Sequence, residues 1–340
     1  MPLSAAVSAE VVGTPGLWLV SIAVLVALLV ADFAVTHRPH EVSMREAVGW
    51  SAFYLTLPVV FGAWLWNTAG SDRALEFMTG FVVEKSLSVD NLFVFMLLLA
   101  VFAVPSDVRQ RVLLFGIVGA LALRGVFIAA GAAMLSAGTW AFLVFGLILF
   151  VSALKILHEA LTGNVALREV SRMRSVRLLR RLMPVTDDYR GTRLTVREHG
   201  RRALTPLAVV VVAVFATDMV FAVDSVPAVY GITDDPYLVF ATNAFALLGL
   251  RALYFVLHTA LAKLVHLNHG LAVILAFIGA KLVLHWAHGI WPDVPEIPTP
   301  VSLAVIIAVL ATVILTSLRS RRRAGPSARR PSEKATTPQD

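Results

Sequence analysis

Apolar residues gather into nine long runs, near 16–36, 46–67, 76–103, 112–136, 138–160, 205–230, 237–262, 269–290 and 300–318, parted by shorter polar stretches. Crossing a hydrocarbon core of about 30 Å takes roughly 20 residues of helix, and each run comes near that length. The pattern predicts an all-α polytopic membrane protein with about nine transmembrane helices. Met1 to Gly16 has no basic stretch ahead of the first run, which reads as a retained span and not a cleaved signal.

Composition agrees. The chain has 340 residues, of which 58% are hydrophobic and 15% charged, with a mean hydropathy of +0.79. Soluble domains sit nearer half apolar and a quarter charged. A net charge of +7 would suit nucleic acid, but most of the excess lies in two arginine-rich stretches outside the apolar runs. It therefore reads as membrane topology, with the lipid bilayer as partner and no nucleic acid. Zero cysteines exclude disulfides, thiolate metal sites and thiol redox chemistry.

The arginines also predict orientation. The link from Thr162 to Arg202 carries eleven of them against four acids, which places it in the cytoplasm. Arg38, Arg45, Arg109, Arg111, Lys263 and the tail from Arg319 fall on the same side. The opposite loops, Gly231 to Pro236 and Gly289 to Pro300, hold acids and prolines but no lysine or arginine. The N-terminus is expected outside and the C-terminus inside a bacterial-type plasma (inner) membrane. In the link, Val170, Met173, Val176, Leu179 and Leu182 fall on one helical face, which suits either an interfacial helix on anionic lipid or a helix packed on the protein. The Arg-, Pro- and Ser-rich tail is expected to be disordered. Trp64, Trp66, Trp286 and Trp291 sit where an aromatic belt would.

The middle of the chain repeats. The third run contains EKSLSVDNLFVF and the sixth contains DMVFAVDSVPAV. Both read acid, five residues, aspartate, then a small polar residue: Glu84, Asp90, Asn91 against Asp218, Asp224, Ser225. Arg124 then matches Arg251, and Lys155 with His158 matches Lys281 with His285. Three spans per copy is an odd number, so the copies would enter the membrane from opposite sides. That defines two inverted three-helix repeats, with a site near the midplane between them. The predicted organisation is a two-span segment over 1–75, a first repeat over 76–160 and a basic cytoplasmic linker over 161–204. A second repeat over 205–290, a final span over 291–318 and a basic tail over 319–340 complete it.

A charge at mid-bilayer costs ~2.5–3.5 kcal/mol on insertion scales, so these residues should face the interior with partners. Mutual neutralisation in buried ion pairs is one account of them. Two matched sets favour a cation site. Glu84, Asp90, Asn91, Asp218, Asp224 and Ser225 offer only oxygen ligands, which suit Mn²⁺, Mg²⁺ or Ca²⁺. Lys85, Arg124, Lys155, Arg251 and Lys281 would compensate charge or couple protons; the lysines are the better proton carriers, because buried lysine shifts its pKa readily. Geometry adds a condition. Residues six apart on a straight helix stand about 120° apart and ~9 Å along it, so one pair cannot chelate alone. Pro227 removes a backbone bond near Asp224, and an interrupted or kinked helix is expected around each second aspartate. Asn243 reads first as a packing residue, with a hydrogen bond across helices as the alternative, and Gly116, Gly119, Gly125 and Gly131 as close-packing positions.

At EKSLSVDNLFVF, MPVTDDYRGTRLTVREHGRRALTP, TDMVFAVDSVPAVYGITDDP and TNAFALLGLRALYF the sequence resembles the TerC family of integral membrane proteins, which includes Alx-type members. The resemblance runs from roughly Ala74 to His285. It implies metal homeostasis, with Mn²⁺ as the exported ion and no organic cofactor, and a link to tellurium resistance. It also implies metal-handling roles for Glu84, Asp90, Asp218 and Asp224. In one departure, Phe215 stands where the resemblance leads one to expect a further glutamate. Two other classes compete with an exporter. An intramembrane aspartyl protease would need a Gly-x-Gly-Asp signature, which is absent, so no enzyme is expected. A membrane component of a tellurite or metal-stress complex, with protein partners and no transport of its own, stays open.

Overall fold

The computed structural model describes residues 12–36, 44–162, 184–186, 188–191, 193–198, 201–250, 253–254 and 266–323. The helices are α1 (Pro15–Thr36), α2 (Met44–Ala69), α3 (Ser71–Val101), α4 (Ser106–Ala137) and α5 (Trp140–Thr162). The strands β1 (Thr195–Glu198) and β2 (Arg201–Leu204) follow, and then α6 (Pro206–Tyr230), α7 (Pro236–Leu248), α8 (Leu267–His288) and α9 (Thr299–Arg323). Each apolar run falls on a helix, the seventh being described as one only to Leu248, with Gly249 turning off its end. Six helices, α2, α4, α5, α6, α8 and α9, contain a stretch long and apolar enough to cross a membrane. Their outer faces carry large exposed apolar side chains, among them Val59, Val126, Val151, Leu154, Leu161 and Ile307. Such a surface would drive association in water and is the expected one against lipid.

The all-α expectation needs one correction. Within the basic link, β1 and β2 pair antiparallel with Glu198 opposite Arg201. Thr195 and Val196 favour extended backbone. The hairpin is tied to the bundle: Val185 bridges Leu204, and the Tyr189 hydroxyl donates to the Phe102 carbonyl at the α3–α4 corner (2.7 Å). Burial pushes the Tyr189 phenol above its usual pKa. The proposed helical face at Val170 to Leu182, the tail beyond Arg323 and Arg251 all lie outside the described residues.

The bundle is built from antiparallel pairs. Arg73 and Glu76, at the start of α3, meet Thr233 and Asp234, just past the end of α6. The other end of α3 packs Leu98 and Leu99 with Leu207, Val210 and Val214 of early α6. On α5 and α8, the Phe142 and His285 rings lie 4.5 Å apart. A Cβ on Gly146 would come within 3.0 Å of the Gly279 carbonyl, so the two backbones nearly touch. The glycines of α4 work the same way. Side chains at Gly116, Gly119 and Gly131 would collide at 2.8, 2.8 and 2.6 Å with Val214, Phe215 and Tyr230 of α6. Gly125 meets nothing within 4 Å, so it is not a packing position. The Tyr230 hydroxyl locks this seam by donating to the Ile128 carbonyl (2.7 Å).

Candidate functional site

Mid-membrane charge has to find partners, and here four helices converge to supply them. Glu84 on α3, Arg124 on α4, Asp218 on α6 and Asn243 on α7 meet in the interior. Glu84 is 0% exposed and Arg124, Asp218 and Asn243 are each 1% exposed. Arg124 Nη1 donates to Glu84 Oε1 and to Asn243 Oδ1 (2.6 Å). Its Nη2 lies 3.6 Å from Asp218 Oδ1. The amide orientation that satisfies Asn91 has its oxygen accepting from Arg124 Nη2 (3.3 Å) and its nitrogen donating to the Leu87 carbonyl (3.1 Å). One guanidinium thus bridges both halves of the expected repeat.

Helical spacing decides which polar residues join this centre. Glu84, Ser88 and Asn91 stand at i, i+4 and i+7, one face of α3, and all are buried. Asp218 and Ser225 stand at i and i+7 on α6 and are also buried. Several of their oxygens have no hydrogen-bond partner: Glu84 Oε2, both Asp218 carboxylate oxygens, Ser88 Oγ and Ser225 Oγ. Asp224, a third of a turn away from Asp218's face, is half-buried and lies within electrostatic reach of Arg124. Asp90 lies on α3, and its side chain is outside the described residues. Among the described residues no group of three or more His, Cys, Asp or Glu gathers as a metal cluster.

Two expectations change. The helix is not interrupted at either second aspartate, because α3 runs unbroken from Ser71 to Val101 and α6 from Pro206 to Tyr230. Pro227 lies within the last turn of α6 and does not interrupt it before Tyr230. The break falls instead at Gly249 of α7. There the Lys85 ammonium donates to the Ala246 carbonyl (3.0 Å), which places a cation at the negative end of that helix.

The bases separate as well. Lys155 is not at the centre: its side chain is 54% exposed on α5, 3.8 Å from Glu159 one turn on. Lys281 is half-buried on α8, where the acids acting on it are Glu76 and Glu296. Glu76 belongs to a second polar cluster at the α3 N-terminal end. In that cluster Arg73 bonds Glu76 (2.8 Å) and approaches Asp234 (3.4 Å), while Thr233 donates to Glu76 (2.7 Å). Nearby, His285 Nδ1 contacts Glu296 at 2.8 Å. Phe215 packs toward Gly119 and is 40% exposed. Asn243 makes the hydrogen bond across helices that its lone amide in an apolar run allowed, in place of the packing role expected first; Ser88, one turn after Glu84, was not expected at the site.

The sequence pattern of the Integral membrane protein TerC family matches residues 69–325, a stretch that includes every residue of this centre. The chain belongs to the TerC family. It is 40% identical over 317 residues to an uncharacterized membrane protein of Myxococcus xanthus, covering 93% of this chain and 96% of that one. It is 38% identical over 321 residues to an uncharacterized membrane protein of Mycobacterium tuberculosis, covering 91% and 81%. The putative membrane-bound redox modulator Alx of Escherichia coli is 37% identical over 317 residues, covering 89% and 94%. No solved structure matches. As a TerC protein with six apolar membrane-length helices, it is an integral multi-pass membrane protein.

Proposed function

We propose that this TerC protein is a transporter, not an enzyme, that exports a divalent metal cation through the buried acidic centre, with manganese first among the candidates. The observation that carries the reading is the set of buried oxygens without a donor on the facing stripes of α3 and α6. Buried polar atoms are nearly always satisfied, and oxygen-only donors suit hard cations. Two carboxylates helped by amide and hydroxyl oxygens make a donor set of modest charge. Such a site binds an ion firmly enough to take it up and weakly enough to release it.

The pairing of helices supports an inverted repeat. The two copies' first helices, α3 and α6, run antiparallel, as do their third helices, α5 and α8. α4 packs on α6 and α3 on α7, the reciprocal contacts that a two-fold relation would produce. In this reading α1, α3 and α7 complete nine spans with the six membrane-length helices. The arginine-rich loops then set the N-terminus outside and the C-terminus in the cytoplasm of a bacterial inner membrane.

The test is cell-associated manganese in medium with excess Mn²⁺. Expression of the protein should lower it, and Glu84→Gln or Asp218→Asn should abolish the effect. Unchanged export in both variants would overturn the assignment. A second reading is a membrane component of a tellurite- or metal-stress complex without transport of its own; the Alx relatives are named putative membrane-bound redox modulators, which points to a redox role for those proteins. This chain has no cysteine, so thiols of its own cannot serve such a role. Purified protein in proteoliposomes separates the two, since only the transporter moves Mn²⁺ alone.

A further inference from the structure

We infer that Arg124 is a tethered cation that holds the metal's place: an ion can load only when the guanidinium withdraws, and its return expels the ion. The inference rests on the transporter reading and adds a regulatory residue to it. Among the described residues, Arg124 is the side chain that bonds the central oxygens of Glu84, Asn243 and Asn91 and lies against Asp218. Glu84 and Asp218 also carry the donor-free oxygens that would take a hard cation. A metal ion on them would stand within a few ångströms of the guanidinium, at a depth where charge repulsion is weakly screened.

Charge counting gives the same answer. With both carboxylates ionised, Glu84 and Asp218 carry two negative charges, and Arg124 reduces the centre to one. A divalent ion without Arg124 brings it to zero, whereas both cations together leave an uncompensated positive charge in the bilayer. Arginine stays protonated at any working pH, so it can leave only by moving. Its grip is one-sided: both Nη atoms are engaged while Nε is buried with no acceptor. Asp224 stands farther along α6, half-buried and within electrostatic reach, as a second berth for the displaced guanidinium. The following residue, Gly125, has open space where a side chain would be.

The experiment measures Mn²⁺ binding to purified full-length protein in nanodiscs, by calorimetry and by thermal shift, for wild type, Arg124→Gln and Arg124→Lys. Arg124→Gln should bind Mn²⁺ at least tenfold more tightly than wild type while export from cells falls to background. Arg124→Lys keeps the charge that the fold needs but replaces the fork with a compact ammonium; its Mn²⁺ binding should tighten severalfold. Wild-type binding with no tightening in either variant overturns the inference and leaves the metal site standing. Absence of Mn²⁺ binding by wild type and by both variants overturns the metal site itself, and the inference with it. If Arg124→Gln cannot be recovered folded, Arg124→Lys decides alone.

Discussion

Two charged clusters join α3 to the second half of the bundle with the same side-chain chemistry and opposite surroundings. At the helix end, Arg73 reaches Glu76 and Asp234, and Thr233 donates to Glu76. Asp234 there is 68% exposed, Arg73 and Glu76 keep 15% and 19% exposure, and no oxygen of this cluster is left buried without a partner. At mid-helix, Arg124 reaches Glu84 and Asp218 with almost no exposure, and three carboxylate oxygens have no donor. An exposed pair contributes little, because water competes for both partners. A buried pair is strongly coupled, because removing one partner strands the other charge. The first cluster is therefore free to act as a fastening, and the second is built around ions that must always be balanced.

The largest effect that would test this contrast is loss of Arg124. Arg124→Gln leaves two buried carboxylates uncompensated and should destabilise the metal-free protein by ~3–5 kcal/mol, read by thermal unfolding in detergent. Saturating Mn²⁺ should return a large part of that stability, since bound ligand adds RT ln(1 + [L]/Kd). Glu84→Gln should cost less, roughly 1–3 kcal/mol, because Arg124 keeps Asp218 and Asn243. At the outer cluster, Arg73→Gln should cost about 1 kcal/mol or less. Salt sharpens the comparison: at ~1 M the screening length falls to about 3 Å, so the Arg73 deficit should vanish while the Arg124 deficit persists. Lys155→Ala should be the smallest change, within ~0.5 kcal/mol and without effect on export. A large export defect in Lys155→Ala would return that lysine to the transport path.

The helices were legible because their signal is composition over some twenty residues, which tertiary packing does not overrule in a bilayer. The acid-bearing helices were legible for the same reason. For each acid pair, Glu84 with Asp90 and Asp218 with Asp224, helix geometry already argued against joint chelation. A spacing of six puts the members on different faces, and the buried stripe is Glu84, Ser88 and Asn91. Lys155 shares its place in the repeat with Lys281, yet one is exposed beside Glu159 and the other faces Glu76 and Glu296. Repeat position fixes a residue's helix, not what it faces.

Asn243 and Lys85 mark the limit most clearly. Alone in its run, Asn243 has no sequence neighbour that names its partner; only the approach of α4 to α7 brings Arg124 to its oxygen. Lys85, beside Glu84 in the chain, turns away to cap the broken end of α7, because adjacent residues on a helix point in different directions. By itself the sequence determined a multi-pass helical membrane protein of the TerC family, with acids placed twice in its apolar core. Which of those acids meet, and that a single arginine from α4 lies among them, was decided by the tertiary structure. The reason is that contacts among four helices depend on their packing, which no local spacing encodes.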